Sequence, residues 1–212
     1  MNTKEIRDLK ANLILTDRQR EILVGKLLGD GHLETLNHSR TYRLKIEHSI
    51  KQKDYVEWLL KEFRNWVHGN MYTKLKYERK YVGFTTYTHG ALRFYAQQFY
   101  KDGKKIVPKM IYKLLSPIGL AAWFMDDGSW KSDRHSTYII HTLGFKKDSL
   151  ILLQDVLRKK FGIETALHMQ RQKYWRLYII SEYAEKFRNV IEPYVLEIPS
   201  MKYKLGNIRP KK

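Results

Sequence analysis

The strongest constraint on this chain is that it repeats itself. Leu23–Gly31 reads LVGKLLGDG and Leu120–Gly128 reads LAAWFMDDG, which sets Gly25 over Ala122, Gly29 over Asp126 and Asp30 over Asp127 at an offset of 97. Three further matches follow in the same order. QKDYVEWLLKEF lies over KKDSLILLQDVLRKKF, with Asp54 on Asp148 at an offset of 94. RKYVGFTTY lies over QKYWRLYII, with Lys80 on Lys173 at 93, and IVPKMIYKLL lies over EIPSMKYKLG, with Pro108 on Pro199 at 91. An ordered set with so small a drift means two copies of one unit of roughly 95 residues. We place the copies at 1–105 and 106–212, and the short link between them, near 102–116, requires the halves to sit side by side.

Each copy reads as helix, strand pair, helix, strand pair, helix, an α+β pattern. Thr16 with Gln19 three residues on is a capping-box signature ahead of Ile22, Leu23, Leu27 and Leu28. In the second copy, Ser116 supplies a hydroxyl cap and Pro117 sits at the first helical position. Both helices end in Asp-Gly. Tyr42, Leu44 and Ile46 alternate with Arg43, Lys45 and Glu47, the period of a strand with one solvated, basic-leaning face. Tyr81–Tyr87 and Tyr174–Ile180 read as further strands. Asp54–Phe63, Asp148–Phe161 and the stretches from Gly90 and Glu182 read as amphipathic helices.

Charge narrows the partner. The 40 Lys and Arg against 22 Asp and Glu leave a formal charge of +18, whose self-repulsion calls for a polyanion, either nucleic acid or an anionic membrane surface. No run approaches the length of a spanning helix, and MNTKEIRDLK lacks the apolar core of a secretory signal, so the expectation is a soluble, non-secreted protein. With no cysteine, disulfides, zinc fingers, iron–sulfur clusters and thiolate catalysis are excluded together. Any metal must be held by oxygen or imidazole.

Gly25 and Gly29 stand four apart on one helix face and leave it nearly flat. Two such helices from adjacent copies can pack with backbones close together, small residues meeting across a pseudo-twofold axis. One Asp-Gly is by default a turn. Duplicated at matching ends of paired helices, Asp30 and Asp127 become neighbouring carboxylates, whose repulsion a divalent cation offsets. Oxygen ligands favour Mg²⁺ first and Mn²⁺ second. Asp126 is either another ligand or an interface residue bonding an N–H group. Lys80 and Lys173, at equivalent places before strands, can offset charge at a scissile phosphate or organise water. Arg40, Arg43, Lys45, Lys76, Arg134, Arg171 and Arg176 form a basic face able to hold nucleic-acid phosphates or read guanine. His48 and His141 near strand ends contact phosphate or satisfy a local carbonyl.

These residues carry a family resemblance. LVGKLLGDG, and more closely LAAWFMDDGSW, resembles the signature helices of LAGLIDADG homing endonucleases, in particular the two-motif monomers of group I introns, over about Thr16 to Leu205. The sixth motif position, often Asp, is Leu28 and Met125 here; that position packs rather than catalyses. The resemblance implies a duplicated αββαββα fold with motif helices at the domain interface and each four-stranded saddle in the major groove of double-stranded DNA. It implies that Asp30 and Asp127 ligate Mg²⁺, that the carbonyls of Gly29 and Asp126 add ligands, and that Lys80 and Lys173 are the basic active-site residues. It further implies cleavage of both strands of a long, nearly unique site, with short 3′ overhangs.

Three functions fit the pattern: a site-specific endonuclease, a maturase acting on a host intron RNA, and a non-cleaving DNA-binding module. The intact acids favour the nuclease. Two motifs in one chain imply a monomer. The expected setting is a mitochondrion, a chloroplast, or a bacterial or phage-infected cytoplasm.

Overall fold

A computed structural model describes residues 4–142, 144–171 and 173–206. After a short helix α1 (Lys4–Ala11), the first copy runs α2 (Asp17–Leu28), β1 (His32–Glu34), β2 (Arg43–Ser49), α3 (Lys53–Glu62), β3 (Tyr72–Lys76), β4 (Arg79–Thr85) and α4 (Arg93–Phe99). A two-stranded hairpin, β5 (Tyr100–Lys101) and β6 (Lys104–Lys105), and a turn of helix, α5 (Ile111–Leu114), lead into the second copy. It repeats the order as α6 (Pro117–Asp127), β7 (Gly128–Trp130), β8 (Tyr138–His141), α7 (Lys147–Val156), β9 (Thr165–Gln170), β10 (Tyr174–Ile179) and α8 (Ala184–Val195). A final 3₁₀ segment covers Pro199–Leu205.

The expected duplicated fold is present. Each copy builds a four-stranded antiparallel sheet of the same order, β1-β2-β4-β3 and β7-β8-β10-β9. In the first sheet, Lys45 pairs with Thr85 and Ser49 with Tyr81. Strand alternation therefore puts Leu44, Ile46, Val82 and Phe84 toward the helices and Arg43, Lys45, Glu47 and Tyr81 on the outer face. In the second sheet, Leu177 and Ile140 pair on the inner face and Arg176 pairs with His141 on the outer one.

The motif helices start as their sequences dictate. Thr16 Oγ1 accepts the Gln19 amide at 3.2 Å while Gln19 Oε1 accepts the Thr16 amide at 3.0 Å. Ser116 Oγ accepts the Gly119 amide at 3.2 Å, with Pro117 following. Unlike the amphipathic α3 and α8, α2 is buried from Ile22 through Leu28 and α6 from Ile118 through Met125, as befits helices covered on every side. Glycine permits their contact. A Cβ on Gly25 would fall onto the Gly119 carbonyl oxygen and lie 2.8 Å from Ala122 Cβ, so the two backbones touch where small residues meet.

Polar clamps also join the copies. Glu197 accepts from Arg18 at 2.9 Å and from the Trp58 indole at 2.7 Å, and Asp54 accepts the Ser200 amide at 2.8 Å. The apolar interior is continuous through both halves, from Phe63, Trp66 and Phe84 to Phe124, Tyr138 and Phe187. Among the described residues, no helix is long and apolar enough to cross a membrane.

Candidate metal and nucleic-acid site at the paired helix ends

Each motif helix runs directly into the first strand of a sheet, so its terminal acid is carried to the junction between helices and saddle. Asp30 lies two residues beyond α2 and Asp127 closes α6. Burial, then the field of Asp126, pushes the Asp30 carboxyl above the ordinary range although its side chain is 53% exposed. Asp127 is pushed further, to about 8, by burial and then by Asp126 and Asp30. The field of Asp30 and Asp126 on Asp127 marks an anionic focus, and carboxylate oxygens are the donors a hard divalent ion takes.

Asp126 itself has a different occupation. Its side chain is fully buried, with Oδ1 accepting from Lys26 Nζ at 2.5 Å and Tyr55 Oη at 3.0 Å and Oδ2 accepting the Asp30 amide at 2.8 Å. Burial raises its pKa, but Lys26 and these donors outweigh burial and keep it ionised. Of the two roles open to Asp126, bonding to an N–H group across the interface is the one its side chain performs. Gly29 makes this possible, since a Cβ there would overlap Asp126 Oδ2 and lie 2.6 Å from Asp126 Cβ. Asp30, His48 and Asp126 also place ligand-type atoms within 4.8 Å of one another. Lys26 Nζ, however, contacts Asp126 Oδ1 and lies 2.9 Å from His48 Nε2, so an ammonium already serves two of the three.

The basic groups at the helix ends are lysines that sequence reasoning passed over. Lys105 Nζ donates to the carbonyls of Gly29 at 2.5 Å and Gly31 at 2.7 Å. From the other copy, Lys204 Nζ donates to Met125 O at 2.5 Å and Asp126 O at 3.2 Å. The Gly29 and Asp126 carbonyls therefore each accept from a lysine, a cation at a helix C-terminus. Burial lowers both lysine pKa values, and Asp126, Asp127 and Asp30 oppose that fall.

Lys80 and Lys173 are not brought to the helix ends, which corrects the expectation built on their matching positions. Lys80 is exposed near the β3–β4 turn opposite Leu75 and shares the strand face of Val82 and Phe84, whereas its neighbour Tyr81 lines the recess beside Asp30. Lys173 is exposed in the β9–β10 turn, its amide donating to Gln170 O at 3.0 Å and its Nζ 5.2 Å from the Tyr174 ring.

The outer faces carry most of the expected DNA contacts. Arg43 and Lys45 bond Glu34 at 2.9 and 3.0 Å, while Lys76 and Lys74 bond Glu47. Burial pushes both glutamates up, but these hydrogen bonds dominate and hold each at about 2. The first saddle is thus a lattice of cations fixed in place by two carboxylates. Arg40 is exposed just before β2, Arg134 is exposed in the β7–β8 loop, and Arg171 is exposed in the β9–β10 turn. Arg176 lies between His141 and His168 on the second saddle. Its Nε is buried and has no hydrogen-bond partner among the described residues.

Residues 20–187 match the LAGLIDADG DNA endonuclease family. The chain is 32% identical over 218 residues to a probable intron-encoded endonuclease 1 of Wickerhamomyces canadensis, covering 96% of this chain and 91% of that protein. It is 28% identical over 205 residues to a cytochrome b mRNA maturase bI2 of Debaryomyces hansenii, covering 92% and 76%. Its fold superposes with a TM-score of 0.86, at 28% identity and over 96% and 93% of the two chains, on the homing endonuclease I-WcaI, whose structure was solved bound to its DNA recognition sequence. Paired motif helices, terminal acids, twin saddles and these matches agree: the chain belongs to the LAGLIDADG DNA endonuclease family.

Proposed function

We propose that this homing-endonuclease family member acts as a monomer on one long double-stranded DNA site and hydrolyses a phosphodiester in each strand, leaving short 3′ overhangs. The observation that carries the reading is the convergence of Asp30 and Asp127, one from each copy, between two saddles of matching topology. Asp30 and Asp127 would hold Mg²⁺, with Mn²⁺ as substitute; bound there, a divalent ion lowers the pKa of a water and stabilises the leaving oxyanion.

The chain's own residues supply the rest. Arg43, Lys45, Lys74 and Lys76 grip the backbone of one half-site, and the half-buried Arg176 on the second saddle faces the other. Lys105 and Lys204 are the cations that stand over the helix ends where charge develops. Lys105→Met and Lys204→Met are expected to lower the cleavage rate by about 100-fold or more, the scale of losing one preorganised charge-stabilising donor. Binding in a gel-shift assay should change little. A fall in affinity equal to the fall in rate would assign these lysines to DNA holding instead.

Affinity should drop steeply with salt as Lys and Arg side chains displace counterions, on the order of a thousandfold between 50 and 200 mM salt for six or more phosphate contacts. A flat salt response would count against the saddles as the binding surface.

The test of the function is cleavage of a randomised duplex library with Mg²⁺ and with EDTA, the ends being sequenced. Ends that converge on one long site only with the metal are expected. Tight binding without any cut would shift the reading to a binding module or a maturase, the second reading that the mRNA-maturase relative favours. A splicing assay on an intron RNA separates those two. A solution mass of one chain is expected in light scattering, and a stable dimer would overturn the monomer.

A further inference from the structure

We propose that Lys26 is a positioning residue that locks His48 as the Nδ1–H tautomer beside Asp30, and that this lock exists in only one of the two half-sites. The inference rests on the endonuclease reading for its catalytic consequence but not for the tautomer itself.

Lys26 is a charged side chain in an unusual place. Lys26 occupies the motif helix α2 with no solvent exposure, and its Nζ reaches Asp126 Oδ1 at 2.5 Å, His48 Nε2 at 2.9 Å and Tyr55 Oη at 3.4 Å. A lone buried charge is costly, so the ion pair with Asp126 accounts for its presence. An ammonium has three donors and no acceptor. His48 Nε2 must therefore accept, and the imidazole proton must sit on Nδ1. Tyr55 closes the network: its hydroxyl accepts from Lys26 and donates to Asp126 Oδ1 at 3.0 Å.

Nδ1 points the other way, toward function. It lies 3.8 Å from Asp30 Oδ2, too far for a hydrogen bond. His48 also lines the recess formed with Asp30, Ser49, Gln52, Lys76 and Tyr81. With Nε2 accepting from the ammonium, the ring is neutral and has a single donor, Nδ1–H. That donor lies between Gln52, which also hydrogen-bonds the ring, and the place beside Asp30 where an oxygen of substrate or water would sit. The lone pair a metal would need from Nδ1 is protonated, so His48 serves as a hydrogen-bond donor and not as a ligand.

Among the described residues, the other half-site has no such lock. The position matching Lys26 is Trp123, at the same offset of 97 that joins Asp30 to Asp127, and Gly29 stands where Asp126 would. His141, near the end of β8, meets Ser129 Oγ at 3.2 Å through Nε2. A hydroxyl both donates and accepts, so that contact fits either tautomer. One strand is thus cut beside a fixed donor and the other beside an unfixed one.

The wild-type protein decides the tautomer directly in a long-range ¹H–¹⁵N spectrum of its histidine rings, with His48 assigned by the signal lost in His48→Gln. The expected pattern is protonated Nδ1 and bare Nε2, unmoved by Mg²⁺. A His48 with protonated Nε2, or an Nδ1 that shifts as a ligand when Mg²⁺ is added, overturns the proposal. Lys26→Met/Asp126→Asn removes both charges together and should release the tautomer to Nε2–H or a mixture. An unchanged tautomer in the folded double variant also overturns the proposal.

On supercoiled plasmid carrying the target, the double variant should accumulate nicked circles, with the second cut slowed about tenfold and the slow strand the same in every molecule. Parallel slowing of both cuts would overturn the one-sided assignment. Absence of any cut by the wild type would instead overturn the endonuclease reading and leave the spectrum standing.

Discussion

Asp127→Asn is expected to abolish double-strand cleavage while leaving DNA binding within a few-fold of the wild type. The substitution keeps the size of the side chain and removes the carboxyl group that would hold the ion, at a place where Asp126 and Asp30 crowd it. Loss of a direct ligand should exceed the tenfold to hundredfold effects typical of outer-sphere partners, so at least about 100-fold in rate is the expected scale. Asp30→Asn should act alike on the equivalent acid. Full cleavage by both single variants, measured by plasmid linearisation, would remove these carboxylates from the mechanism.

The same acid gives a pH signature that needs no DNA. With EDTA present, the folded Asp127 keeps its proton up to about pH 8, while in the unfolded chain it loses it near 4. Between those values the folded state binds more protons, so this group makes stability fall as pH rises. The metal-free protein should therefore show this group's contribution as a lower melting temperature at pH 8 than at pH 5.5. Asp127→Asn should flatten that slope, and a slope identical in wild type and variant would refute the shifted acid.

Gly25→Val should be the most damaging single change outside the acids. Its Cβ has nowhere to go: the nearest obstacle is the Gly119 carbonyl oxygen, backbone of the opposing helix, rather than a side chain that can turn aside. Overpacking of this kind costs about 3 kcal/mol or more. For a chain of this length that corresponds to roughly 10 °C in melting temperature. Measured by thermal unfolding, a loss below about 2 °C would mean that the helices are free to separate and that their close approach is not what holds the halves together.

What the sequence made legible was local or duplicated. The Thr16–Gln19 box, the Ser116–Pro117 start and the strand alternation around Leu44 are short-range patterns, and each appears where its residues predict. Asp30 and Asp127 stood out because the repeat printed them twice. The same device misled for the lysines. In the register that sets Pro108 on Pro199, Lys204 falls on Lys113, yet its spatial counterpart is Lys105. Lys105 arrives through the β5–β6 hairpin, whose Asp102-Gly103 turn, at φ of 51° and 72°, was a readable signal between YK and KK. Lys26 gave no local sign at all, because its burial and its charge partner come from a helix 100 residues away.

The Gly29–Asp126 contact has a consequence for how such a protein can be altered by recombination. The two residues form a lock and key across the junction: only a glycine in one half admits the carboxylate of the other, and only that carboxylate bonds the Asp30 amide. Either half exchanged for that of a relative would carry its side of this fitting to a stranger. Chimaeras should therefore assemble only where donor and recipient share the small-residue and acid pairing, so that the halves, although copies of one ancestor, are inherited as a matched set.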